Sequence, residues 1–238
     1  MIWYKAWLES RWRFLICLAL IVTVVGADIC QARINMPRMG IQSDEFGKYV
    51  WRIYFTRFQF LWIISALVLS MGGLLREQSN GSADFSLSLP VSRRFWMGVR
   101  GAVALVQASV LALVPAMVVP IASATVGYSY PAFEAVKFSA LVLLTGVFLL
   151  ALGILYSTLF QGEYTGVALG IATVFAIAVI VNPLAGRFPS LGLTNGQQYL
   201  NEAWYLANGW PLTAIFMKVT LAGVLWETAN RVLERRNF

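Results

Sequence analysis

The sequence predicts an all-α integral membrane protein: an N-terminal amphipathic elbow helix followed by six transmembrane helices. Three observations carry this. First, 59% of the 238 residues are hydrophobic and only 12% are charged, about half the charged fraction of an ordinary globular chain. Second, six apolar runs are long enough to cross a hydrocarbon core, and none alternates as a barrel strand would. Third, a Trp-rich amphipathic segment precedes the first run. A mean hydropathy of +0.70 excludes a disordered chain. There is no histidine, so the commonest general base and metal ligand is missing.

Residues 1–13 read as an interfacial helix. On a helical wheel Trp3, Tyr4, Trp7, Leu8, Trp12 and Phe14 share one arc, and Lys5, Glu9 and Arg13 lie opposite. Arg11 falls on the apolar arc and has to snorkel. A signal peptide has a short basic start without such a face. The expected spans are 14–31, 54–75, 96–123, 135–160, 165–183 and 210–233. Pro115 and Pro120 are expected to bend the third. Ala32–Ile53 reads as a polar connection, with Arg52 and Arg57 on an outer extension of the second helix. Residues 184–209 read as an outer re-entrant or interfacial segment carrying Tyr199 and Trp204, with a short helix over Gln197–Ala207.

Cys17 and Cys30 lie roughly 20 Å apart along one helix, too far to bridge. The net charge of +7 is explained by anionic lipid headgroups, without nucleic acid as a partner. With the N-terminus inside, ten Lys and Arg collect on the inner side and seven on the outer. The positive-inside rule thus leans towards cytoplasmic N- and C-termini.

Polar residues within spans are costly and therefore candidates for function. Lys218 in the sixth span either snorkels or contacts an outer cavity, and Glu227 lies on the opposite face of the same helix. Glu134 and Lys137 form an expected i,i+3 pair, and Asp28 and Arg33 a similar one. Gln59 and Gln107 are placed to hydrogen-bond across helices. Gly146, Gly153, Gly162, Gly166 and Gly170 recur in spans four and five, and Gly166-x-x-x-Gly170 suits close helix approach.

The loop between spans two and three holds the most information. Arg76-Glu77 is followed by a turn at Asn80-Gly81. Asp84 to Leu89 is long enough for a turn and a half of helix, which Pro90 ends. Ser92 is the expected N-cap of the third span. Phe85, Leu87 and Leu89 are apolar in a polar loop, so this short element either docks into a partner or packs back on its own spans.

Arg76-Glu77, Gly81 and Leu89-Pro90-Val91-Ser92-Arg93, in that order, resemble the first cytoplasmic loop of ABC type-2 permeases. These are the membrane subunits of ATP-binding-cassette exporters. The elbow, six spans, long segment before span six and basic tail extend the resemblance over the whole chain. It implies that Asp84, Phe85, Ser86, Leu87 and Leu89 form a coupling helix framed by Glu77, Pro90 and Arg93. Gln161 and Glu163 match the second cytoplasmic turn by position, and Lys218, Tyr199 and Trp204 fall near the pathway or outer gate. The positive first outer loop departs from the family's charge bias.

The chain has no G-x-x-x-x-G-K-[ST] loop. On this resemblance ATP and Mg bind a separate ATPase subunit, and this chain holds no cofactor or metal. A second permease chain, identical or related, completes the path across a bacterial cytoplasmic membrane for amphiphilic cargo: a peptide, an antibiotic or a lipid. The alternatives are a non-transporting scaffold or regulatory subunit, and an intramembrane lipid-modifying enzyme, for which convergent acids and bases are hard to assemble here.

Overall fold

The computed structural model describes residues 2–42, 45–71, 92–160, 164–187, 209–210 and 212–235. Among these there is no strand. The helices are α1 (Ile2–Cys30), α2 (Ala32–Arg38), α3 (Phe46–Leu69), α4 (Arg93–Val126), α5 (Ala132–Leu159), α6 (Thr165–Arg187) and α7 (Leu212–Arg235). Four of them, α1, α3, α4 and α5, are long and apolar enough to cross a membrane. The 34 residues of α4 correspond to about 51 Å of helix, longer than a hydrocarbon core of about 30 Å.

Helix α5 is the centre. It packs against α3, α4, α6 and α7, and 72% of its most apolar window is buried, against 33% for α1. Glycines let its neighbours approach. A Cβ on Gly146 would lie 2.1 Å from the Trp62 ring, and one on Gly153 would lie 2.1 Å from the Ser70 hydroxyl. The Trp62 indole N–H donates to the Ala108 carbonyl at 2.9 Å, so α3 is fixed to α5 by shape and to α4 by a hydrogen bond. Gly170 of α6 lies against Leu67 in the same way.

Several boundaries depart from the sequence reading. Helix α1 runs unbroken from Ile2 to Cys30, with no interruption where a separate segment 1–13 was expected to meet a span at Phe14. No proline or glycine stands there to break it. The connection Ala32–Ile53 is largely helical, not a plain polar loop. Ala32 and Met36 are buried on α2, and Phe46, Tyr49, Val50 and Ile53 form the buried stripe of an amphipathic helix start. Arg52 therefore sits on an N-terminal extension of the second helix.

That helix ends at Leu69, short of the expected Leu75, of which residues 72–75 lie outside the described set. It contains a π-helical turn over Tyr54–Phe58. Helix α4 continues through Pro115 and Pro120 and ends at Gly127, whose φ of 83° suits a residue without a Cβ. Helix α6 extends to Arg187, so residues 184–187 are helical where a re-entrant segment was expected to begin. Residues 188–208, with Tyr199 and Trp204, lie outside the described residues.

The Trp62–Gly146 contact gives a direct test. Gly146→Ala forces a methyl into the indole ring, and overpacking of this kind costs on the order of 1–3 kcal/mol. The expected result is a lowered thermal midpoint of the purified chain in detergent, partly restored by Trp62→Phe in the same chain.

Candidate functional site

The candidate site is the end of the bundle from which segment 72–91 leaves and returns. The structure places Arg93 there, at the first turn of α4. Of the other loop residues singled out above, Glu77, Asp84, Phe85, Ser86, Leu87, Leu89 and Pro90 lie outside the described residues, as do Gln161 and Glu163. The groups that hold the two ends of the segment are well defined.

Ser92 caps α4 as expected: its extended backbone turns the chain into the helix, and its Oγ accepts from the Phe95 N–H at 3.2 Å. Before the segment, the Arg13 guanidinium donates to the Met71 carbonyl at 3.1 Å. After it, Arg94 pairs with Glu234, with one N–H donating at 3.0 Å. The segment is thus bracketed by α1, α4 and α7.

Between these anchors runs a polar seam. Arg100 donates to Glu9 at 3.0 Å and lies over the Trp96 ring at 4.7 Å. The Gln107 amide donates to the Ser10 hydroxyl at 2.8 Å, which itself donates to the Ala6 carbonyl. Gln107 is therefore a cross-helix hydrogen bonder, as its position suggested. Its Oε1 is buried without a protein partner, and the residue borders a cavity of about 50 Å³ also lined by Ser10, Ser70, Arg100, Ser157 and Thr158.

The seam turns α1 inside out relative to a water-soluble helix. Glu9, Ser10 and Arg13, from its polar side, bond to α4 and to the Met71 carbonyl just past α3. Trp3, Tyr4, Trp7 and Trp12 point outward, 42–68% exposed. Arg11 is exposed beside Trp12. Water penalises this arrangement, whereas lipid stabilises it, because polar groups there must find protein partners.

The opposite end holds a second polar cluster. Asp28 pairs with Arg57 of the π-helical turn, not with Arg33. The Tyr49 hydroxyl donates to the Asp28 carbonyl at 2.6 Å. Arg33 instead donates to the Val126 carbonyl at 2.7 Å, at the end of α4, where the last carbonyls lack helix partners and the dipole favours a cation. Sequence reasoning missed the Asp28–Arg57 pair because the partners stand 29 positions apart. The Glu134–Lys137 pair forms as expected, at 2.7 Å. Lys218 is half-buried on α7. Glu227 bonds along its own helix to Arg231 at 3.0 Å.

No group of three His, Cys, Asp or Glu side chains converges among the described residues, and Cys17 and Cys30 are both free thiols.

Two substitution pairs probe these clusters. Ser10→Ala strips the last partner shown for the Gln107 side chain and is expected to cost about 1–3 kcal/mol. Gln107→Met removes donor and orphaned acceptor together and stays within about 1 kcal/mol of the parent, read as thermal midpoints in detergent. At the other end, Arg57→Met leaves the Asp28 carboxylate buried without its cation. The double change Asp28→Leu with Arg57→Met is expected to be more stable than Arg57→Met alone. The sequence matches no protein-family model, and no curated protein is similar enough to it to be a recognised relative.

Proposed function

We propose that this chain is the membrane permease subunit of an ATP-driven exporter, with six spans. In this reading α6 and α7 cross the membrane with α1, α3, α4 and α5. The N-terminal part of α1 serves as the elbow, and both termini are cytoplasmic in a bacterial inner membrane. Two such chains, identical or related, form the path for amphiphilic cargo, and a separate ATPase subunit binds ATP and Mg.

One observation supports this reading most. Segment 72–91, which carries the motif from Glu77 up to the start of α4, leaves from Met71, held by Arg13 of α1, and returns into α4, which Ser92 caps and Arg94 joins to α7. A docking element at Asp84 to Leu89 needs such tethers, because a push on it then moves α1, α4 and α7 together. The Ser92 cap is what any helix start needs; the Arg13–Met71 and Arg94–Glu234 bonds are the ones that support a docking role over a plain connection.

The test is affinity purification of the tagged chain from its native membrane in mild detergent with nucleotide, followed by mass spectrometry. A stoichiometric ATP-binding-cassette subunit is the expected result. Phe85→Asp and Leu87→Asp are each expected to weaken its retention at least tenfold, about 1.4 kcal/mol, with membrane insertion unchanged. A preparation with no ATPase points to the scaffold reading. Full ATPase retention and substrate-stimulated hydrolysis in both variants remove the coupling role of the loop.

A further inference from the structure

Helices α4 and α7 do not close on each other along their length. An apolar cleft of about 330 Å³ lies between them, with α5 as its back wall. On α4 it runs from Gly98 to Leu105, about 10 Å of helix. On α7 it runs from Ala222 to Trp226.

Small residues in membrane helices ordinarily let two backbones touch. Gly101 does this, since a Cβ there would strike the Trp226 ring at 2.2 Å. Gly98 and Gly223 do not, since a Cβ on either would meet nothing within 4 Å. Glycine weakens a helix, and at these two positions no close approach within the chain offsets that. Helix α7 meets α4 at the Trp226 ring and again at Arg94–Glu234, and the space beside the ring stays open.

A cleft in a membrane can hold water, a helix of a second copy, or a lipid chain. Water needs about two to four polar partners, and the lining consists of Gly, Ala, Val, Leu, Ile and Trp residues. A volume of about 330 Å³ over about 10 Å is a mean cross-section of about 33 Å². A helix about 10 Å across needs roughly 80 Å², so a second copy's helix does not fit. A lipid chain is narrow and apolar, and it surrounds α4 and α5, both long and apolar enough to cross a membrane. Left empty, the lining would lose its dispersion contacts on the open side.

The cleft also has a polar end. On α4, Arg94 stands one turn before Gly98 and pairs with Glu234. On α7, Glu227 follows Trp226 and pairs with Arg231. In the other direction α4 carries no charged residue from Gly101 to Val126, and α5 none from Phe138 to Leu159. A lipid chain lying here therefore has its ester end at the loop-bearing end and its methyl end towards Leu105. Each ion pair is neutral as a pair, so charge selects no headgroup.

We infer that the cleft is a binding site for one acyl chain of a membrane phospholipid, held by fit between α4 and α7, with its headgroup at the loop-bearing end. The site does not depend on the chain being a transport subunit.

The experiment is photo-crosslinking of the full-length chain in phosphatidylcholine vesicles that contain a phosphatidylcholine with a diazirine on one acyl chain. Irradiation is done in the vesicles, and separately after transfer to detergent and washing, with labelled residues mapped by mass spectrometry. Met117 and Ile121 of α4, 70% and 67% exposed outside the cleft, report ordinary lipid contact. After washing, label at Leu105, Val147 and Trp226 is expected to persist, and label at Met117 and Ile121 to fall at least tenfold. Gly98→Leu with Gly223→Leu is expected to lower the cleft label about tenfold and to leave the vesicle label at Met117 and Ile121 unchanged. A phosphatidylglycerol probe is expected to label the cleft to the same extent. Cleft label that washes out as readily as label at Met117 overturns the site from the parent chain alone. Unchanged cleft label in the double leucine variant does so too. A tenfold preference for either headgroup overturns recognition by chain fit. Disulfide-linked dimers formed in high yield by Gly223→Cys in the membrane place a second copy in the cleft and overturn the acyl-chain assignment.

Discussion

The Trp62 indole lies where Gly146 has no side chain, and its N–H reaches the Ala108 carbonyl. Three helices, α3, α5 and α4, meet in that contact. Between apolar helices in lipid there is little hydrophobic drive, so close fit and a few hydrogen bonds must hold the bundle. The remaining helices are set by distance from this point. Ser70 fits at Gly153 one heptad further along α5, and Leu67 fits at Gly170 of α6. Replacing the small residues with larger ones would push the layers apart and leave each polar bond between helices too long.

Polar groups divide into two populations at the two ends of the bundle. At one end Glu9, Ser10 and Arg13 of α1 turn inward to Arg100, Gln107 and Met71. At the other, Asp28, Tyr49 and Arg57 join α1 to α3, and Arg33 closes α4. Helix α1 is therefore pinned at both ends by polar bonds, while its middle presents apolar side chains outward. The proposed loop function draws on the first population, whose bonds fix where segment 72–91 leaves the bundle.

Much of the architecture was legible because hydropathy is a long-range average that local errors do not spoil. The long helices fell where the apolar runs are, and Ser92 was readable as a cap because a serine before a long helical run has one dominant use. The Glu134–Lys137 pair was readable for the same reason, since three positions on one helix are neighbours. Asp28 was paired with the wrong arginine because proximity in sequence was the available guide, and the true partner is set by how α1 and α3 pack. The wheel of α1 grouped Trp3, Tyr4, Trp7 and Trp12 correctly but did not give which face meets the protein, and it put Phe14, which is buried in the core, on the same arc. That choice depends on the surrounding solvent. The cavities were illegible altogether: Gly98, Gly101 and Gly223 look alike in sequence, and only packing separates the glycine filled by Trp226 from the two left bare.

The π-helical turn in α3 has a consequence for comparing this chain with others. Ile53, Tyr54 and Phe55 are buried in succession, and the buried positions then resume at Phe58, Trp62, Ser65, Ala66, Leu67 and Leu69. One additional residue in a helix turns everything after it by about 100°. The two halves of α3 are thus out of phase with any single wheel drawn from Phe46. An ancestor or descendant without the extra residue would align with this helix only through a one-residue gap in mid-span, where alignments rarely place one. Without that gap, the positions beyond Phe58 would be compared about 100° out of phase, and much of a shared core would be matched to the wrong face.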